Sequence, residues 1–127
     1  MIETKTPAHD GWHERLFYIF FIGRLDRDKK ELGRGLFNRV LLRLTRALKS
    51  SLGAYTTVRS LEAKGDTLQW GAEPTRLILV IADSAQEKWV DSRVAELGTV
   101  AARDLRQDEI WITKHRLNLF AARPSED

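Results

Sequence analysis

The stretch Leu16-Phe17-Tyr18-Ile19-Phe20-Phe21-Ile22 is closed by Gly23, and Thr75-Arg76-Leu77-Ile78-Leu79-Val80-Ile81-Ala82 is closed by Asp83. Aromatic and β-branched residues fit a pleated surface, so both runs read as strands. Each is apolar at consecutive positions rather than alternate ones, so both of its faces need cover and it belongs in the middle of a sheet. The first run offers Leu16, Tyr18, Phe20 and Ile22 to one side and Phe17, Ile19 and Phe21 to the other. The pattern itself does not say which side a helix covers.

Working outward, Gly23 to Gly35 is charged and glycine-rich, and leads to a helix beginning near Lys29 or only after Gly35. From Leu36 to Leu48 the apolar residues Leu36, Phe37, Val40, Leu41, Leu44, Ala47 and Leu48 recur on one side at 100° per residue. Arg39, Arg43 and Arg46 fall opposite, with Leu42 as an apolar misfit among them and Gly53 as a C-terminal stop. Ala54 to Ala63 has β character, Lys64-Gly65-Asp66 signals a turn, and Thr67–Trp70 reads as a return strand broken at Gly71–Pro74. After the second apolar strand, Ser84 with Glu87 has the spacing of a capping box, and Asp83 or Ser84 is the N-cap. Val90, Val94, Leu97, Ala101 and Leu105 then stripe a second helix, with Gly98 as a weak point in its middle. Glu109 to Phe120 is a last strand, carrying Ile110 and Ile112 on one face and Trp111, Thr113 and His115 on the other. Residues 1–13 read as an arm, 14–120 as one α+β domain and 121–127 as a polar tail.

The order strand, helix, strand, strand, helix, strand is that of a ferredoxin-like βαββαβ sandwich: an antiparallel four-stranded sheet with two helices on one face and an extended β2-β3 hairpin. The two strands that are apolar throughout take the centre, and 55–63 and 110–117 become edges. Both helices then cover one face, and the other is left apolar and open. Such a face is unusual on a monomer. A second copy, a ligand, or the chain's own hairpin extension and N-terminal arm would cover it, and a second copy is the first expectation, since closed two-fold dimers are the commonest assemblies. Leu16–Gly23, Gly53–Trp70, Glu73-Pro74-Thr75-Arg76 with Leu77–Ile81, and Gln107–Ile112 resemble short uncharacterised bacterial proteins. The pattern over residues 14–113 is also similar to the dimeric α/β-barrel group of ferredoxin-like proteins, which pair sheet faces. That resemblance implies a fold and a homodimer; its members include monooxygenases, dehydratases and binding modules, so it implies no single activity.

Composition narrows the classes. With 43% hydrophobic and 31% charged residues in 127, a disordered chain is excluded and a single core is expected. The absence of cysteine removes disulfides, thiolate metal sites and cysteine nucleophiles. A net charge of +3, with a pI of 9.4, permits an anionic partner without requiring one. Met1 to Trp12 has no secretory apolar core, and the longest apolar run is far short of the roughly 20 residues that span a bilayer. A cytoplasmic protein with no membrane contact is expected.

Three constellations bear on function. Arg39, Arg43 and Arg46, with Lys49 nearby, form a basic helix face suited to phosphate, although a polar outer face is also what any amphipathic helix needs. Trp111, Thr113 and His115, joined by Tyr55 and Arg59 of the second strand, are candidates for a pocket between subunits, with His115 the candidate acid or base. His9 and His13, with Asp10 and Glu14, have metal-like spacing only on a helix, and Gly11 between them argues against one, so no metal is assigned. Trp12, Trp70 and Trp89 read as packing residues. No phosphate loop, nucleophile elbow or dinucleotide fingerprint occurs, and no cofactor is assigned. The leading expectation is a homodimeric binding module for a small molecule or protein partner. A nucleic-acid module using the arginine helix and a cofactor-free enzyme with a pocket at the sheet face are the alternatives.

Overall fold

The computed structural model describes residues 11–52, 57–63 and 75–124. The element order is β1 (Trp12–Gly23), α1 (Arg34–Leu52), β2 (Thr57–Ala63), β3 (Thr75–Asp83), a 3-10 turn (Ser84–Gln86), α2 (Glu87–Asp104) and β4 (Trp111–Phe120). The four strands make one sheet in the order β2-β3-β1-β4, and every neighbouring pair is antiparallel. This is the expected ferredoxin-like α+β arrangement. The two strands of continuous apolar sequence lie at the centre and the mixed ones at the edges.

Packing resolves the ambiguity of β1. Leu16, Phe20 and Ile22 are fully buried and Tyr18 is 2% exposed, so this set faces the helices. Ile78, Val80 and Ala82 of β3 share that side, closed over by Phe37, Val40, Leu41, Leu44 and Leu48 of α1 and by Val90, Val94, Leu97 and Ala101 of α2. Phe17, Ile19 and Phe21 therefore point away from both helices. Strand β1 begins at Trp12, inside the segment read as an arm, because Trp12 to Leu16 pair with Phe120 to Arg116 of β4. Strand β2 runs directly against β3, from Thr57 opposite Ile81 to Ala63 opposite Thr75. The turn and return strand read at 64–74, the N-terminal arm up to Asp10, and Trp70 lie outside the described residues.

The start of α2 keeps one of the two caps read from the sequence and lacks the capping box. Asp83, rather than Ser84, is the cap: its carboxylate accepts from the Ala85 N–H at 3.0 Å and starts a short 3-10 turn before α2. Glu87 does not close a capping box. It turns outward to the cations of β4. Gly98 does not break α2. A Cβ at this position would stand 2.7 Å from Ile112 Cδ1, so the glycine marks where the helix lies closest to β4. At the far end Arg106 adopts φ 57, with its N–H on Arg103 O and the Gln107 N–H on Ala102 O. That is a Schellman stop with arginine where glycine is the usual residue.

Candidate functional site

The helix-free face of the sheet is read from the strand register. Phe17, Ile19 and Phe21 stand opposite Ile81, Leu79 and Leu77 on β3, and opposite His115, Thr113 and Trp111 on β4. All six central side chains are half-buried, while Trp111 is 54% exposed and Leu119 38% exposed. Charged groups on this side stand at its margins: Arg15 opposite Asp83 at one end, and Arg59 on β2.

The sequence-predicted pocket is only partly assembled. Trp111, Thr113 and His115 do share the open face, as their alternation required. The His115 ring lies 5.8 Å from that of Phe17, and its Nε2 is 3.1 Å from Thr113 Oγ1. Among the described residues no carboxylate reaches the imidazole, so it lacks the partner that would orient it for proton transfer. Arg59 occupies the same face but the opposite edge. Strands β3 and β1 intervene, which puts three strand spacings, about 14 Å, between it and β4. Within one chain Arg59 and His115 therefore do not line one pocket. Tyr55 lies outside the described residues, as do His9 and Asp10. His13 and Glu14 are in β1, not on a helix, and no cluster of metal-ligating side chains occurs among the described residues.

A recess that the sequence reading missed lies where the open face ends. Its volume is about 310 Å³, and it is lined by Phe21, Thr75, Trp111 and Gln107 and by charges of both signs, Arg27 and Lys29 with Asp26, Asp108 and Glu109. Phe21 and Trp111 are register partners, so two aromatic side chains adjoin there. The loop is held rigidly. Gln107 Nε2 donates to Gly23 O at 2.7 Å and Leu25 O at 3.0 Å, and Asp26 Oδ1 accepts from the N–H groups of Asp28 and Lys30. Those backbone bonds, with that from Lys30 the strongest, lower the Asp26 pKa. The Asp26-Arg27-Asp28 turn was the available signal; the reach of Gln107 across more than eighty residues left none.

The helix side carries charge of two kinds. Lys114 Nζ binds Asp91 Oδ2 at 2.8 Å and also Glu87, and Arg116 Nη2 binds Glu87 Oε2 at 2.5 Å. The buried Tyr18 hydroxyl donates to Asp91 Oδ1 at 2.5 Å. Burial first, then this hydrogen bond, pushes the Tyr18 phenol above its usual range. Arg116 and Lys114 hold Glu87 down to about 2. Because each member of this network has partners within it, it reads as a clamp fastening α2 to β4. On α1, by contrast, Arg39, Arg43, Arg46 and Lys49 are all exposed, and Leu42 among them is 49% exposed. Trp12 packs against Phe120 with ring centroids 5.1 Å apart while remaining 47% exposed, and Trp89 is 49% exposed. No helix among the described residues is long and apolar enough to cross a membrane.

No family model matches the chain, and no curated protein matches it. Among solved structures it is similar to a phage SAM lyase in complex with S-methyl-5'-thioadenosine, at 14% identity and TM-score 0.49, over 94% of this chain and 97% of that one. A de novo designed protein with a ferredoxin fold is similar at 13% identity and TM-score 0.45, over 91% and 94% of the two chains. An aminobenzoyl-glutamate utilization protein from Klebsiella pneumoniae is similar at 12% identity and TM-score 0.45, over 91% of this chain and 30% of that one.

Proposed function

We propose that the protein is a homodimeric binding module whose two sheets pack face to face, with a small-molecule recess at the margin of the interface. The observation that supports this is the apolar, helix-free face built on Phe17, Ile19, Phe21, Leu77, Leu79 and Ile81. Contiguous apolar patches beyond a few hundred Å² are uncommon on monomers. Four strands about 4.8 Å apart and about eight residues long make a face of roughly 500 Å² in projection. Two such faces in contact remove roughly 1,000 Å² even before side-chain relief is counted, close to the lower bound of about 1,200 Å² for a specific interface. The centre of the face is uncharged, so two copies meeting there bury apolar side chains against one another.

In such a dimer the recess beside Phe21 and Trp111 stands at the rim, where the partner's sheet roofs it. A planar apolar group stacks on the two rings, and a polar end carrying both donors and acceptors meets the mixed charges of Arg27, Lys29, Asp108 and Glu109. Light scattering tests the reading. Wild type is expected at twice 14.6 kDa, and Ile19→Glu at 14.6 kDa with unchanged circular dichroism. A wild-type chain that stays monomeric at high concentration, its sheet face covered by its own residues or left bare, refutes the proposal.

A further inference from the structure

The cations of α1 differ from those of its neighbours. On α2 and β4, Arg93, Arg103, Lys114 and Arg116 each reach a carboxylate, and Lys88 reaches none among the described residues. Helix α1 carries Arg34, Arg39, Arg43, Arg46 and Lys49 and no acidic residue at all. Of these only Arg43 has an acidic partner among the described residues, the half-buried Asp104 at 3.5 Å. At 100° per residue Arg39, Arg43 and Arg46 lie within a sector of about 60°, and Arg39 to Lys49 spans about 15 Å of helix axis. The row borders a shallow groove floored by Leu42 and Ala47.

We infer that this face of α1 binds the phosphate backbone of a nucleic-acid duplex without reading its sequence. A duplex presents about nine phosphate charges over the same 15 Å, and arginine forks onto phosphate oxygens. No aromatic side chain stands on the exposed face of α1, so there is no platform for unstacked bases. The apolar stripe of α1 is consumed by the core, which leaves nothing to insert into a lipid surface. Leu42 alone is too little apolar surface for the buried centre of a protein interface. The face lies on the side of the sheet away from the proposed dimer contact, so it is open in monomer and dimer alike.

Fluorescence anisotropy with a short labelled DNA duplex tests this. Three to four phosphate contacts predict that raising salt from about 50 to about 200 mM weakens binding roughly 40- to 150-fold. The triple variant Arg39→Ser, Arg43→Ser, Arg46→Ser should lose most of that salt dependence and bind at least tenfold more weakly at low salt (about one order of magnitude or more for three lost contacts). The charge-matched control Lys30→Ser, Lys88→Ser, Arg123→Ser should retain both. Equal losses in the two triples would mean diffuse charge and overturn the inference, as would a wild-type chain with no salt-dependent binding. Poly-glutamate competing as well as duplex DNA would reassign the face to an acidic protein segment and equally overturn it. The monomerising Ile19→Glu change is expected to leave binding per chain intact, which separates this result from the fate of the dimer reading.

Discussion

Phe20 and Phe21 are adjacent in the chain and belong to different environments. Phe20 is fully buried beneath α2, near enough to Gly98 that a Cβ there would lie 3.4 Å from its ring. Phe21 faces away from the helices, half-buried, with Leu77 and Trp111 as its register partners. One face of the sheet is finished by the chain's own helices; the other carries the same kind of side chain with no helix over it among the described residues. A strand with period 2 puts adjacent residues on opposite sides, so equal hydrophobicity in sequence becomes unequal burial in space.

The sharpest way to break that contrast is to truncate both neighbours. Phe20→Ala should cost folding stability about 3–5 kcal/mol, the usual range for a fully buried ring, by chemical denaturation. Phe21→Ala should cost the isolated chain only about 1 kcal/mol and act chiefly on self-association. If the two costs are equal in the monomer, the faces are not distinct as described. Next in size is Tyr18→Phe, which removes the buried donor from Asp91 and should cost about 1–2 kcal/mol while leaving association unchanged.

A pH series probes the clamp on the helix side. Glu87 titrates at about 2 in the folded chain against an ordinary 4.5, so its contribution to stability is present above pH 4.5 and is lost as the pH falls towards 2. Thermal melts should weaken over that window, and Glu87→Gln should flatten the acid limb relative to wild type; an unchanged limb would show that the clamp carries no stability. The smallest effect is expected at Arg106. Replacing it with glycine relieves its positive φ but gives up the Asp28 ion pair at 3.6 Å. The net change should be a stabilisation of no more than about 1 kcal/mol.

Much of the architecture was legible in the residues themselves. Continuous apolar runs placed β1 and β3 at the centre, and the arginine spacing on α1 placed its basic face outward. Gly98 misled because a glycine in a helix weighs the same by propensity whether it weakens the helix or lets a strand approach, and only the position of Ile112 distinguishes the two. Glu87 misled because its spacing from Ser84 suits a cap, yet Lys114 and Arg116, far along the chain, offer full charges in place of one backbone N–H.

Local pattern alone therefore determined which segments are strands or helices, which strands are central, and that more apolar surface exists than two helices can cover. Helix docking decided which half of β1 is sealed. Strand order carried Arg59 and His115 to opposite edges. Folding of the Gly23 loop onto Gln107 created a recess beside Trp111. The physical reason is range: periodicity and propensity act over a few residues, whereas burial and pairing are settled between groups that meet only once the sheet has closed.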